Sequence, residues 1–328
     1  MKEEDIRKRD AFNKYLELVE ADVKNFFDFK SFVEIKCPAC ADGNCVFQFE
    51  KQGFRYVSCN KCFTLYVNPR PPVETVREFY SKSPSSTFWI NEFFKPVMDV
   101  RREKIFKPRA EYVSKMCGKG SGLIIGDIGA GYGLFLNELR EILPENYYVA
   151  IEPSVEMSDI CNKSGLEVKC MFLEDVNEIS ERGGGDLLTA FELLEHLVDP
   201  VYFIKKVNCL LKPGGLFFLT TLNAKGFDIL MLWDRSKSIF PPHHLNFFNP
   251  SSIKYLFERL GFEIVEISTP GKLDWSIVEG MIKNEGVDLG RFWSLLSKES
   301  DEKCKKGLQD WISRNNLSSH MSLLAKKS

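Results

Sequence analysis

The chain has 328 residues, 44% of them apolar and 27% charged, and its 44 basic and 46 acidic side chains leave a formal charge of -2. That length holds one large α/β domain with a smaller unit beside it, and the even charge excludes wrapping nucleic acid by bulk electrostatics while leaving room for a local patch. No apolar run reaches the roughly 18 residues that cross a bilayer, the polar start Met1-Lys2-Glu3-Glu4-Asp5 is no signal-peptide core, and ten cysteines scattered over so long a chain suit a reducing, cytoplasmic compartment rather than a disulfide scaffold.

Residues 5–29 read as a helix, with Ile6, Phe12, Tyr15, Leu16, Leu18, Val19, Val23, Phe26 and Phe27 forming an apolar stripe among charges. The stripe packs on the next module or makes a homodimer contact. Residues 35–70 read as short strands around two C-x-x-C knuckles, Cys37-Pro38-Ala39-Cys40 and Cys59-Asn60-Lys61-Cys62. Paired knuckles joined by aromatic-rich strands point to a tetrahedral Zn2+ site of four thiolates, because so short a module cannot bury a sufficient core without a metal. Iron also suits tetrahedral sulfur, a redox C-x-x-C is the weaker reading of two matched pairs, and Cys45 between them reads as a spare core thiol. The charges of the ribbon give only a mild basic excess, not the stripe of an RNA reader.

The segment Asn68-Pro69-Arg70-Pro71-Pro72 ends the ribbon. Helices are expected over 73–80 and 91–117, as a linker or cap. Strands are then expected at 123–127, 147–151, 166–170, 186–191, 216–222 and 262–267, with helices between them, including 200–211 before a Lys212-Pro213-Gly214-Gly215 stop and 251–260. That alternation means βαβ units and a doubly wound, mostly parallel sheet. Residues 270–319 interrupt it with helical, aromatic-rich sequence whose rings form either the core of a lid or an acceptor pocket, and 321–325 is the closing strand. The domains expected are a helical segment 1–34, a ribbon 35–70, a helical cap 71–117 and an α/β domain 118–328 carrying the insertion 270–319.

The first α/β strand leads into Asp127-Ile128-Gly129-Ala130-Gly131-Tyr132-Gly133. Ligands of open α/β sheets bind at such strand ends, where glycines let a ligand approach the backbone. The dinucleotide fingerprint is G-x-G-x-x-G; here the third glycine falls one position early. Asp127 would repel a pyrophosphate but suits a cationic amino-acid cofactor, which favours S-adenosyl-L-methionine over NAD. Glu152, at the end of the second strand, can accept both ribose hydroxyls of either ligand.

These segments carry a family resemblance. Residues 127–133, Ile151-Glu152-Pro153-Ser154, 191–200 and 211–215 together resemble the class I S-adenosylmethionine-dependent methyltransferases, closest to the ubiquinone-biosynthesis-like branch. Residues 241–250 resemble a stretch common in that branch and in relatives found with surface-polysaccharide and sugar-modifying genes. The resemblance spans about 35–328 and implies a Rossmann-like, seven-stranded sheet. It implies that Asp127, Gly129, Ala130 and Gly131 line the methionine moiety and that Glu152 with Pro153 holds the ribose. It also implies that Leu173 and Glu174 lie beside the adenine, and that Phe191 and Glu192 floor the sulfonium.

Methyl transfer needs an aligned nucleophile, exclusion of water and, for a hydroxyl, a proton acceptor. Among the four histidines, His243 and His244 follow the fifth strand and are candidates for the general base, or they shape the loop. His196 faces the acceptor or makes a structural hydrogen bond, and His320 reads as structural. Tyr80 and Asn246 are further pocket candidates. The functional expectation is an enzyme methylating a small molecule such as a sugar or surface-polysaccharide precursor. The alternatives are an RNA or protein methyltransferase reading its substrate with the ribbon, and a non-catalytic cofactor-binding scaffold.

Overall fold

A computed structural model describes residues 9–118 and 120–328. The expectations on Ile6 and Lys119 lie outside those residues. Strands β4 (Ile124–Ile128), β5 (Tyr147–Ile151), β6 (Glu167–Lys169), β7 (Gly185–Phe191), β8 (Leu211–Leu222), β10 (Phe262–Ser268) and β11 (His320–Lys327) form the expected seven-stranded sheet, in the order β10-β11-β8-β7-β4-β5-β6. The five strands from β8 to β6 run parallel, and β11 is antiparallel to both its neighbours. The central strands are apolar on both faces, as a sheet covered by helices on both sides requires. The Lys212-Pro213-Gly214-Gly215 segment does not precede the fifth strand but lies within it. Leu211 pairs with Gly185 and Leu216 with Leu187, so the residues between bulge out of the ladder.

Helix α1 (Arg9–Phe26) buries Phe12, Tyr15, Val19 and Val23, one face at helical spacing. That face is consumed inside the chain: Tyr15 packs on Trp89 and Phe240, and Phe27 just beyond the helix packs on Phe54 and Phe79. After α2 (Val73–Lys82) the chain stays helical over 84–117 but passes through two π turns, Trp89–Phe94 and Arg102–Phe106. Each is followed two residues later by a proline, Pro96 or Pro108. Proline has no N–H for the i−4 carbonyl and its ring crowds that carbonyl, so the helix widens before each one. Helix α3 (Lys107–Cys117) then leads into β4.

The ribbon strands β1 (Cys45–Lys51), β2 (Phe54–Cys59) and β3 (Leu65–Val67) form an antiparallel sheet, and its fourth strand comes from far along the chain. It is β9 (Asn246–Phe247), which pairs with β3 and was not anticipated because two residues carry no periodicity. The ribbon also rests on α8 (Pro250–Arg259): Asn249 Nδ2 donates to the carbonyls of Cys62 and Phe63, and Arg259 donates to that of Pro38. Cys37, Cys40 and Cys59 therefore share one apolar core with Ile253, Leu256 and Phe257 of α8.

Arg70 locks this junction. It is 2% exposed, and its guanidinium donates to the carbonyls of Val67, Leu197, Val198 and Leu245 and to Asn246 Oδ1. Asn246 in turn donates to the carbonyls of Leu194 and Leu197. One buried side chain thus joins the ribbon exit, the turn after β7 and the segment entering β9.

The insertion is three helices, α9 (Asp274–Glu285), α10 (Arg291–Glu299) and α11 (Glu302–Arg314). Trp275, Val278 and Met281 make a separate apolar core with Leu232 of α7 (Phe227–Leu232). Buried Asp274 ties the insertion to the closing strand by accepting from the backbone N–H of Ser319 and the hydroxyl of Ser318, each at 2.7 Å.

Candidate functional site

Strands β4 and β5 end in register, Ile128 beside Ile151, so the glycine turn and Glu152 emerge side by side. Gly129, Gly131 and Gly133 have φ of +72°, +55° and +69°, the left-handed region that favours glycine. Their surroundings differ. A Cβ at Gly133 would come within 2.8 Å of Leu166 and 3.0 Å of Cys161 Sγ, so this glycine serves the packing of α4 (Leu134–Ile142). At Gly129 and Gly131 a Cβ would meet nothing nearer than 3.4 Å and 4.0 Å. Those two leave an open cradle at the strand ends, as a ligand lying against the backbone needs.

Two buried carboxylates flank the cradle. Glu152 accepts from the N–H of Gly131 at 2.8 Å and of Ser154 at 2.9 Å, while Pro153 between them is exposed. Burial raises its pKa, and the two backbone donors oppose that rise. Asp127 is 3% exposed and accepts from the Thr189 hydroxyl at 2.7 Å. Burial pushes its pKa up to about 7, against the Thr189 hydrogen bond and the charge of Arg109. A buried carboxyl poised there fits a cofactor that brings a positive charge.

Phe191 and Glu192 close the same rim. Arg109 of α3 lies 4.1 Å over the Phe191 ring and 3.8 Å from Glu192, whose other carboxylate oxygen is 3.5 Å from His320. Burial alone would raise the Glu192 pKa, but His320, Arg109 and a hydrogen bond from Thr220 outweigh it and hold the group ionised. Glu192 sits at φ +50°, a strained position for a residue with a side chain. Leu173 is placed differently from the cradle residues: it is 3% exposed and its side chain packs in the core with Val176 and Ile179. Glu174 stays at the surface, where Arg77 of α2 lies 4.6 Å over Phe172 and 3.9 Å from the Glu174 carboxylate.

Three of the histidines converge. The ring of His196 is 4.8 Å from that of His244 and 6.1 Å from that of His243. His243 is the interior member, 5% exposed, with Nε2 2.8 Å from Tyr15 Oη and Nδ1 3.1 Å from Tyr80 Oη. Burial and the neighbouring His244 push its pKa down to about 3. His244 Nδ1 lies 2.7 Å from the Ser238 carbonyl oxygen, to which it donates. His196 Nδ1 is 2.9 Å from Tyr80 Oη, and burial holds its pKa well below the usual imidazole range. Tyr80 and His196 are half-buried. His196 lies in the turn that follows Phe191 and Glu192, and Tyr80 is one turn of α2 beyond Arg77. This pair is half-buried, while His243 stands behind Tyr80. Asn246 is fully buried in the Arg70 network rather than in a pocket.

The four knuckle cysteines also converge. Cys37 and Cys62 sulfurs are 3.5 Å apart, those of Cys40 and Cys59 3.4 Å, and all four lie within 4.8 Å of one another. A tetrahedron with metal–sulfur bonds of ~2.3 Å has edges of about 3.8 Å, so the set fits one ion. The two knuckles match in backbone form: Ala41 and Phe63, each four residues after the first cysteine of its pair, have φ of +58° and +57°.

Arg70, Arg109, Thr189 and Tyr15 have structural or electrostatic parts that the sequence did not mark. Single arginines and tyrosines in helices or between prolines carry no spacing signal.

Comparison with known proteins agrees with this geometry. The family model described as "Methyltransferase domain" matches residues 101–267. The ubiquinone biosynthesis O-methyltransferase of Xanthomonas axonopodis pv. citri is 27% identical over 172 residues, covering 49% of this chain and 70% of the relative. That of Escherichia fergusonii is 29% identical over 170 residues, covering 50% and 68%. A chain in the solved complex of the Haloferax volcanii Trm112 methyltransferase activator with a methyltransferase aligns at a TM-score of 0.50. It shares 13% identity and covers 70% of this chain and 92% of that one, a likeness of fold. Among the described residues no helix is long and apolar enough to cross a membrane.

The state of Asp127 gives a signed prediction. Its folded pKa of about 7 lies above the ordinary 3.8, and a bound cation favours the ionised form. S-adenosylmethionine binding should therefore release a proton below pH 7, and affinity should rise with pH and level off above it. Calorimetry in buffers of different ionisation enthalpy reads this release, and Asp127→Asn should abolish it and weaken binding at least ~10-fold. Affinity independent of pH from 5.5 to 8 would contradict the assignment.

Proposed function

The chain belongs to the methyltransferase domain family and is an S-adenosylmethionine-dependent methyltransferase, and from that premise we propose that it methylates an oxygen of a small hydroxylated molecule, with Tyr80 and His196 taking up the proton. The observation that carries this reading is the Tyr80–His196 hydrogen bond of 2.9 Å, with His196 in the turn that follows Phe191 and Glu192. The curated relatives are named O-methyltransferases, which supports oxygen as the acceptor atom. A sugar or surface-polysaccharide precursor is the first acceptor class to test.

In this reading Asp127, Gly129, Ala130 and Gly131 hold the methionine end, Glu152 and Pro153 the ribose, and Glu174 the adenine side. Leu173 contributes by packing beneath that loop. Bound S-adenosylmethionine would supply an electrophilic methyl group, and its transfer to the acceptor oxygen would form a C–O bond as the S–C bond breaks, leaving a neutral thioether. The acceptor O–H proton passes to Tyr80 Oη as the Tyr80 proton moves to His196 Nδ1. Burial keeps His196 unprotonated and so able to accept. His244 borders His196, and His243 supports Tyr80 from behind.

We also assign Zn2+ to Cys37, Cys40, Cys59 and Cys62, in a structural role. The site is closed, with four sulfurs and no position for substrate, and it is built into the core of α8 rather than presented to solvent. This favours a ribbon that walls the acceptor pocket over one that reads RNA.

Cofactor carrying an isotope-labelled methyl, incubated with a cell extract that is then fractionated by mass, tests the acceptor class. The label should appear in low-mass material. Tyr80→Phe and His196→Gln should each slow its appearance about 10²-fold or more while leaving cofactor affinity unchanged. Label confined to RNA or protein would favour the macromolecular reading, and cofactor binding with no transfer the scaffold. Metal analysis should find one zinc per chain, lost in Cys40→Ser together with thermal stability; full stability after zinc loss, or iron in its place, would contradict the assignment.

A further inference from the structure

Tyr15 belongs to α1, far along the chain from the residues of the cofactor cradle described above. Its hydroxyl is nevertheless buried and begins an unbroken series of hydrogen bonds. Tyr15 Oη meets His243 Nε2 at 2.8 Å, His243 Nδ1 meets Tyr80 Oη at 3.1 Å, and Tyr80 Oη meets His196 Nδ1 at 2.9 Å.

The direction of this series follows from counting protons. A neutral imidazole has one N–H and one lone pair. In the reading above Tyr80 passes its proton to His196 Nδ1, so that nitrogen carries the lone pair and the His196 proton sits on Nε2. His196 Nδ1 then accepts from the Tyr80 hydroxyl. With that proton committed, Tyr80 Oη accepts from His243, which must carry its proton on Nδ1. The lone pair of His243 is left on Nε2, facing Tyr15, and the Tyr15 hydroxyl donates to it. Every proton in the series points the same way, from α1 toward His196.

We infer that Tyr15 is a positioning residue for methyl transfer, whose buried hydroxyl holds His243 in its Nδ1–H form and thereby aims the Tyr80 proton at His196. Both the tautomer and its catalytic meaning rest on the Tyr80–His196 reading above. Without the Tyr15 hydroxyl, His243 can move its proton to Nε2 and accept from Tyr80 at Nδ1. The Tyr80 proton then points away from His196, and the path from the acceptor is broken. The packing makes the constraint firm. The Tyr15 ring lies 4.8 Å from Trp89 and 5.5 Å from Phe240, and the His243 ring stacks on Phe240 at 5.3 Å and meets the edge of Phe79 at 5.1 Å. The titratable groups around His243 are Tyr15 from α1, Tyr80 from α2, His196 from the turn after β7 and His244 on its own loop, with Glu195 beyond Tyr80.

Four histidines make the test direct. The full chain, with its metal and with ¹⁵N-labelled histidine, is examined by long-range ¹H–¹⁵N NMR across pH, with no acceptor added. Wild-type His243 should show a protonated Nδ1 and a bare Nε2 and stay neutral to below about pH 5. Tyr15→Phe, which keeps the ring, should lose that single tautomer and show a mixture of Nδ1–H and Nε2–H forms. Val19→Ala, which loosens the buried face of α1 but leaves the hydroxyl, should keep the wild-type pattern. Labelled-methyl transfer by Tyr15→Phe should fall roughly tenfold with cofactor affinity unchanged. Nε2–H on wild-type His243, an unchanged tautomer in Tyr15→Phe, or equal effects of the two variants would overturn the inference. An altered tautomer with undiminished transfer would overturn its catalytic part, and full transfer by Tyr80→Phe would instead overturn the Tyr80–His196 reading.

Discussion

A guanidinium with no exposed face holds this molecule together. Arg70 carries a full charge into the interior, where burial pulls its pKa down to about 10, and it is matched by four carbonyls and one side-chain amide oxygen. Burying a cation without a carboxylate beside it costs several kcal/mol unless every donor finds an acceptor. Here the acceptors come from three separate stretches of chain, so those stretches must meet before the charge is satisfied. The turn that carries His196 and the strand that follows His243 and His244 are two of them. The third is the exit of the ribbon. The histidine cluster is therefore positioned by the same contact that fixes the ribbon against the sheet.

That dependence explains how the ribbon belongs to this chain. It draws its apolar burial from the core it shares with α8, and its four converging sulfurs fit a single ion. With the knuckles fixed, Asn249 caps both α8 and the carbonyls of Cys62 and Phe63, and β9 completes the ribbon sheet. At the other end of the site the constraint is electrostatic. Asp127 and Glu192 are held at different charge by their surroundings, the first lifted by burial and the second held down by His320 and Arg109. One carboxyl is thus ready to ionise and another already ionised, a pair that suits a cationic ligand.

The sequence made much of this legible because the relevant signals are local. Asp127, the three glycines and Glu152 lie at fixed distances from strand ends, and alternating strands and helices announce the sheet. The knuckles announce a metal by spacing alone. What stayed hidden is long-range. The distance from Tyr15 to His243 is 228 residues along the chain and one hydrogen bond in space. Two residues of β9 carry no pattern, and Arg70 looks like any surface arginine among prolines. The histidines were visible as candidates, but composition could not tell His243, sealed behind Tyr80, from His196, which is only half-buried. Leu173 shows the same limit: a position beside the cofactor loop was readable, but the direction of its side chain into the core was not.

The account stands on the acceptor rim and the cofactor cradle being two sides of one cavity. A crystal structure of the chain with bound S-adenosylhomocysteine measures this directly. The ligand should lie over Gly129 and Gly131 with its ribose hydroxyls on Glu152, and its sulfur should face the opening lined by Tyr80 and His196. A ligand in the cradle whose sulfur points away from that pair, or one bound elsewhere on the sheet, would contradict the account.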